Sequence, residues 1–399
     1  MNIHTATRNV PLGDVADVIR GVTFSKSEAT DEPLDGHVPV LRAGNIAEGL
    51  RLDDDLVFVD AARVSKVQRL HPGDIVMCTS SGSANVLGKS ALLDRPWSGS
   101  FGAFLAVIRP HGNHIEPRFL AHFFRTPEFR SWASASEGIG IKNIRGSALK
   151  EISIPLPPIE EQKRIAAILD QADALRRLRR RALDRLNALG QSIFHEMFGG
   201  PQTHPRRAIV EFAHVKGGKR LPKGSSYSAI PTQHPYIRVS DISNLTIQTQ
   251  NLKYIEHDIH NFIKRYIVQD GDVVISIAGT IGLVAAVPPE LSGANLTENA
   301  AKITPRSSET FDAQYLAWAL SSLDAQRQIA ARTGQVTIGK LALFRIEQVE
   351  VPFPDLNIQE GFSARISRLN AQKASLMRAI DFSEVLFGSL QASAFQGKI

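Results

Sequence analysis

The chain has 399 residues, 43% of them hydrophobic and 22% charged, with a formal net charge of +6. That length accommodates two or three domains, each with its own core, and the composition is globular with no low-complexity tract. Its single cysteine, Cys78, excludes an internal disulfide framework and any cysteine-based metal site, while a pI near 9.4 favours a polyanionic partner only weakly.

Met1-Asn2-Ile3-His4-Thr5-Ala6-Thr7 lacks the basic-then-apolar pattern of a signal segment. The most apolar run, Val273 to Pro289, is interrupted by Ser276, Gly279, Thr280 and Gly282. It is too short and too broken to span a bilayer and reads as strands. A soluble, cytoplasmic protein without membrane contact is the expectation.

Residues 10–155 alternate short apolar runs with Gly, Pro and Asp, as in an irregular β-rich domain. Strands are expected at Val38-Pro39-Val40-Leu41-Arg42, Leu56-Val57-Phe58-Val59, Asp74-Ile75-Val76-Met77 and Phe104-Leu105-Ala106-Val107-Ile108. One helix is expected over Arg118–Trp132, where Phe119, Phe123 and Phe124 mark an apolar face. Cys78 closes a strand-like run and reads as a buried, inert thiol.

A different pattern begins at Ile154-Pro155-Leu156-Pro157-Pro158-Ile159-Glu160-Glu161-Gln162 and lasts to Gly200. Glu160 and Glu161 suit the positive end of a helix dipole. From Ile165, steps of four and three lead through Leu169, Ala172, Arg176, Arg179, Leu183, Leu186, Gly190, Ile193 and Met197. Such spacing keeps one helix face turned toward a partner helix. At 1.5 Å per residue the helix would be roughly 60 Å long, more than a small domain needs for its own core. Arg176 and Arg179 interrupt the seam, and their stems are expected to cover apolar surface while their charges reach water.

Residues 205–352 repeat the first globule in order. Lys216-Gly217 answers Arg20-Gly21, Ile237-Arg238-Val239 answers Leu41-Arg42-Ala43, and Gly271-Asp272-Val273 answers Gly73-Asp74-Ile75. Further on, Tyr315-Leu316-Ala317-Trp318 answers Phe119-Leu120-Ala121-His122, and Thr337-Ile338-Gly339-Lys340-Leu341 answers Gly140-Ile141-Lys142-Asn143-Ile144. Val351-Pro352-Phe353-Pro354-Asp355-Leu356 then opens a second heptad stretch, with Phe362, Ile366, Leu369, Lys373, Leu376, Ile380, Ser383, Phe387, Leu390 and Ala394 on its seam. Arg181-Ala182-Leu183-Asp184 lies over Arg378-Ala379-Ile380-Asp381, and Phe198 over Phe395, at one constant offset. This is an internal duplication.

The expected class is α+β: a globule at 1–157, a long helix at 158–200, a second globule at 201–354 and a second long helix at 355–399. Two equivalent heptad helices most simply pack on each other as an antiparallel coiled coil, which implies a pseudo-twofold axis.

A search for catalytic residues yields none. Gly82-Ser83-Ala84-Asn85-Val86-Leu87-Gly88-Lys89-Ser90 resembles a phosphate loop but has five residues between its glycines instead of four. Glu161-Gln162-Lys163 lacks the preceding Pro-Asp pair of a nuclease core and reads as helix initiation. His111/His114 and His257/His260 have helix-compatible metal spacing, yet neither pair shows a third ligand or an obvious helix beneath it. No methyltransferase Asn/Asp-Pro-Pro-aromatic loop and no dinucleotide glycine pattern occurs. The run from Arg176 to Arg185 reads equally as a solvated helix face or as a contact for DNA backbone or an acidic partner.

The loops that differ between the copies carry the better candidates for nucleic-acid contact. Ser80, Ser81, Ser83 and Asn85 follow the first Gly-Asp strand, and Ser276 and Thr280 the second. Hydroxyl and amide groups there can meet phosphates or base edges. Lys142, Asn143 and Arg145, with Thr337 and Lys340, occupy matching later loops; Lys26, Arg42, Lys219, Arg220, Lys223 and Arg238 add positive charge.

Taken with the Ile154–Gln162 entry, Ile165, Ile168 and Leu169, and the paired Gly73-Asp74-Ile75-Val76 and Gly271-Asp272-Val273-Val274 loops, the chain resembles the specificity (S) subunit of Type I restriction–modification systems. The second helix entry departs from the pattern, with Asp355, Asn357 and Ile358 in place of Pro158, Glu160 and Glu161. The resemblance implies two target-recognition domains, each reading half of a split double-stranded DNA sequence. Its long helices would space them and dock two methyltransferase (M) subunits. S-adenosylmethionine would belong to those subunits, and ATP and Mg2+ to endonuclease/translocase (R) subunits, so this chain would bind no cofactor or metal and perform no catalysis. A self-contained DNA-modifying or DNA-cutting enzyme, and a helical scaffold without DNA binding, are the alternatives.

Overall fold

In the computed structural model of the chain, residues 7–83, 85–112, 114–135, 142–199, 204–306, 310–333, 340–396 and 398 are described. The chain forms two compact units: residues 1–180 with 378–399, and residues 181–377. No helix among the described residues is long and apolar enough to cross a membrane.

In the first unit, an antiparallel four-stranded sheet runs in the order Ala16–Arg20, Leu105–Pro110, Ile75–Cys78, Ser90–Leu92. Every residue of Ile75–Cys78 is buried, as its unbroken apolar run requires of a strand covered on both faces. Cys78 is a buried, free thiol there. A second sheet joins Ala29–Thr30, Val57–Asp60, His37–Leu41 and Ser100–Phe101, the last pair parallel. Arg8–Pro11 pairs with Ser153–Leu156, which leads directly into the first long helix.

The second unit repeats this topology. Its sheet runs Ala213–Gly217, Ala300–Pro305, Val273–Ser276, Val284–Ala286; Arg206–Ala208 pairs with Glu350–Pro352; and Pro235–Ile237 lies parallel to Asn295–Leu296. Asp74 and Asp272 occupy one place, each accepting from the backbone three residues before it, His71 N at 2.8 Å and Gln269 N at 2.9 Å.

Two expectations for the globular units need correction. The residue answering Gly21 is Gly218, not Gly217. A Cβ on Gly21 would stand 2.1 Å from Gly102 O, and one on Gly218 2.1 Å from Thr297 O, so both mark the same close backbone approach. The helix expected over Arg118–Trp132 is two helices, Pro117–Phe123 and Pro127–Ser134. Pro127 cannot supply the N–H a continuous helix needs, and Thr126 Oγ1 instead caps the second helix by accepting from Phe129 N at 3.2 Å. The other unit breaks its helix pair, Ala313–Ser321 and Leu323–Arg332, at the corresponding place without a proline, with Ser322 as cap accepting from Ala325 N at 3.3 Å.

The long helices span Ile159–Phe198 and Leu356–Phe395, 40 residues each. Within the first unit, Ile165, Leu169 and the half-buried Ala172 pack with Phe387, Leu390 and Ala394. Farther along, Arg176 pairs with Glu384 at 3.0 Å, so the two helices run antiparallel. Within the second unit, Phe194 and Phe198 each lie 5.5 Å from Phe362, and Arg365 approaches the Met197 sulfur, again antiparallel. All twenty seam positions, including Leu183, Leu186, Ile193, Ile366, Leu369, Leu376 and Ile380, are buried or half-buried. The seam arginines do not send their charges to water. Arg176 covers the Phe387 ring at 4.2 Å besides pairing with Glu384, and Arg179 donates to Ala379 O at 3.1 Å and to the Ser383 hydroxyl.

One glutamine anchors each long helix. Gln162, 1% exposed, accepts from Glu116 N at 2.9 Å and donates to Pro157 O at 2.8 Å. Gln359 does the same with Asp312 N at 3.0 Å and Pro354 O at 2.8 Å. Each amide thus ties a helix start to the entry of a helix pair in its own unit. Replacing Gln162 by Leu strands two buried backbone groups, at about 1–3 kcal/mol apiece. Urea unfolding of Q162L should show a lowered midpoint with an unchanged m-value, and Q359L should behave alike.

Near the same contact, His122 Nε2 lies 2.7 Å from Asp170 Oδ1, and Arg118 3.3 Å from Asp170 Oδ2. Burial works against the Asp170 carboxylate, but His122, Arg118 and Arg125 outweigh it and hold its pKa below the ordinary value of 3.8. A depressed carboxylate contributes stability above its unfolded pKa and loses it as pH falls through the folded one. Wild-type thermal stability should therefore drop below about pH 4, and D170N should flatten that part of the profile.

Candidate nucleic-acid interface

In each unit the four-residue strand after Gly-Asp ends at a three-way junction. In the first, Thr79 N and Ser80 N donate to Phe104 O at 3.0 and 3.1 Å, Asn143 pairs with Ser80, and Ile144 N donates to Thr79 O at 2.8 Å. In the second, Ile277 N and Ala278 N donate to Asn299 O at 2.8 and 3.2 Å, Lys340 bridges to Ala278, and Leu341 N donates to Ile277 O at 2.9 Å. The backbone plan is one and the same. The side chains it presents differ, with Phe104 where the second unit has Asn299, and Asn143 where it has Lys340.

A concavity opens at each junction. The first, about 390 Å3, is lined by Arg20, Ser80, Phe104, Asn143 and Arg145 among others. Phe104 is 63% exposed. Among the described residues no carboxylate pairs with Arg20 or Arg145, so their charge is available to an incoming anion. The second concavity, about 550 Å3, is lined by Lys219, Arg220, Lys340 and Glu298 together with Gly217 and Gly218. Arg220 Nε binds Glu298 Oε1 at 2.6 Å. Burial opposes ionisation of Glu298, but the bonds it accepts from Arg220, from its own backbone and from Thr297 together outweigh it and leave the carboxyl below its ordinary pKa. Beneath this wall, Tyr236 donates its hydroxyl to Lys219 O at 2.8 Å, and burial pushes the phenol up to about 12.

The remaining candidates fall elsewhere. Ser83 and Asn85 are exposed on the turn after Ser81, which is held from behind: Arg130 donates to Asn85 O and Leu87 O, each at 2.8 Å. Lys26 and Lys223 are exposed, and Thr280 is exposed on the turn that follows Ser276. Lys142 lies in the short strand facing Ser81. Thr337 lies outside the described residues. Arg42 is paired with Asp55, and Arg238 grips Asp241 with two bonds of 2.6 and 3.0 Å, so both charges are already compensated. Ser276 has to be withdrawn. It is fully buried, and its hydroxyl donates to Thr280 O at 2.6 Å and accepts from Leu283 N at 2.8 Å to shape the turn.

Arg20, Phe104, Glu298 and Asn299 are not among the residues that the sequence singles out for contact, yet they stand at the junctions. The expected strand opens on Phe104, whereas the strand begins one residue later at Leu105 and leaves Phe104 to the loop. The histidines also differ from expectation. His257 and His260 do lie on a helix, His257–Phe262, and a third, His234, has its Nε2 3.0 Å from His257 Nδ1. The His234 ring stacks on His260 with centroids 4.0 Å apart, which directs their in-plane nitrogens alongside rather than toward a shared point. Among the described residues no group of three His, Cys, Asp or Glu is placed to hold a metal ion.

A family model described as the Type I restriction modification DNA specificity domain matches the chain twice, at residues 7–188 and 205–381. The Type I restriction enzyme EcoKI specificity subunit of Escherichia coli (strain K12) is 31% identical over 318 residues, 73% of this chain and 68% of that protein. The StySPI specificity subunit of Salmonella potsdam is 42% identical over 161 residues, 40% of this chain and 35% of that protein. Two solved chains share the fold. One, from a structure described by the complex assembly and conformational transition of the type I R-M system, has a TM-score of 0.63 at 18% identity, with 100% of both chains covered. The other is the Type-I restriction-modification system S subunit from M. genitalium, with a TM-score of 0.59 at 15% identity, covering 99% of this chain and 97% of that one.

Proposed function

Because the chain belongs to the Type I restriction–modification specificity family and carries two of its DNA specificity domains, we propose that each domain reads one half of a bipartite duplex target. The observation that carries this reading is the pair of junction concavities, built on one backbone plan but lined by different side chains. Uncompensated Arg20 and Arg145, or Lys219 and Lys340, would meet phosphates and fix orientation, while Phe104, Ser80 and Asn143, or Asn299, would meet base edges.

The chain supplies selection and no chemistry of its own. Methyltransferase subunits, two of them, would bring S-adenosylmethionine, and endonuclease/translocase subunits ATP and Mg2+, in the cytoplasm. The long helices would be the docking surface and the spacer between half-sites. The globules at 1–157 and 201–354 would be the two recognition domains, with 158–200 and 355–399 as the helical parts.

The direct test is a map of methylated adenines in cells carrying the complete system. Replacing residues 10–155 by the corresponding domain of a relative should change one half-site and leave the other intact; a change in both halves would refute the assignment. Removing one heptad from each long helix keeps the seam in phase and shortens each by about 10 Å, or about three base pairs. The methylated motif should then lose about that many bases from its gap. On the purified chain, K340Q should weaken binding to all duplexes alike and lower the slope of log K against log salt by about one. F104A should instead relax preference within a single half-site.

A further inference from the structure

The basic run beginning at Arg176 has no part in the reading above. In the first unit, Arg176, Arg177 and Arg180 project from successive turns of the long helix into a cleft of about 320 Å3, opposite Gly88, Lys89 and Ser90. Arg125 and Arg130, from the broken helix pair, add two more guanidiniums to the lining. These six basic side chains face three carboxylates. Asp173 serves Arg125 at 3.3 Å, Arg176 at 3.6 Å and Arg177. Glu384 serves Arg176 and Arg180, and Glu48 reaches Arg180 at 4.0 Å. Among the described residues, Arg130 donates only to the carbonyls of Asn85 and Leu87, and Lys89 has no ion pair.

A second observation points to an occupant. Ser90, 8% exposed, lines the cleft, and its hydroxyl oxygen is buried without a hydrogen-bond partner. Buried hydroxyls are ordinarily satisfied. Arg125 is in a related position: burial disfavours its charged form, Asp173 offsets part of that, and the like charges of Arg177 and Arg176 add to it. An anion in the cleft would relieve the excess charge and give Ser90 an acceptor.

We propose that this cleft binds a phosphate group. A tetrahedral oxyanion offers several acceptors to forked guanidiniums and a hydroxyl arriving from different directions, beyond what the planar Asp173 carboxylate already provides. The phosphate belongs either to the DNA backbone or to a free phosphate or nucleotide. The DNA source rests on the reader function proposed above; the free source does not. In either case binding is linked to the candidate turn, because Arg130 of the cleft holds Asn85 and Leu87.

The test uses the full-length chain and three variants, K89Q, R180Q and S90A. The Lys89 and Arg180 side chains are exposed, and Ser90 loses no internal bond. Inorganic phosphate and pyrophosphate are titrated calorimetrically, and duplex retention is measured against salt. With a free phosphate as occupant, the wild type binds pyrophosphate saturably. R180Q then weakens binding about tenfold, and S90A weakens it several-fold at an unchanged melting temperature. With the DNA backbone as occupant, K89Q and R180Q each lower the log K against log salt slope by about one and leave the preferred sequence unaltered. No saturable phosphate binding together with unchanged salt slopes in all variants overturns the proposal. A wild type without salt-sensitive DNA retention defeats the reader function instead, and the phosphate titration then decides the cleft.

Discussion

The whole arrangement depends on a seam that neither long helix can satisfy by itself. A 40-residue helix in water holds together mainly by burying one face, and each of these helices buries part of its seam in one compact unit and part in the other. Large apolar residues sit toward the ends, Ile165 and Leu169 against Phe387 and Ala394, Phe194 and Phe198 against Phe362. The middle is mixed, with Leu183, Leu376 and Ile380 interrupted by Arg176, Arg179, Lys373 and Ser383. Such residues add little stability but penalise slipped registers, since a displaced Arg176 would lose both Glu384 and the Phe387 face.

Around that seam the duplication has kept backbone geometry and released side chains. Gly21 and Gly218 persist because a Cβ at either would collide with a carbonyl rather than with a movable side chain. Gln162 and Gln359 persist in their contacts because each satisfies two buried backbone groups at once. Elsewhere the same place is filled by different chemistry. Asp74 is neutralised by Arg109 and Asp272 by Lys302, and the junctions present Phe104 in one unit and Asn299 in the other. One scaffold that holds its strands while varying the side chains at one rim can discriminate two unlike ligands.

Charge available for binding is smaller than a count of basic residues implies. Arg42, Arg220 and Arg238 each carry a carboxylate partner. At the two junctions Arg20, Arg145, Lys219 and Lys340 do not among the described residues, and they keep their charge for a phosphate. Pairing of this kind is decided by loops that bring Asp55 or Glu298 across many residues of sequence, where no local pattern announces it.

The sequence by itself determined the repeat, the two heptad helices with every seam position, the buried strand ending in Cys78, and the family. All of these rest on periodicity and local composition, which a linear string carries in full. Tertiary structure decided where charge is cancelled, that Ser276 is used up inside its turn, that Thr126-Pro127 breaks an apparent helix in two, and that Gly218 rather than Gly217 answers Gly21. It also gathered Arg20, Phe104, Asn143 and Arg145 into one concavity, and Ser90 with five arginines into another. The Ser276 turn and the Pro127 break are local, set within a few residues. The long-range charge pairings, the Gly218 register and the two concavities share another reason: each relates segments distant in the chain, set by strand pairing and helix docking that local spacing does not encode.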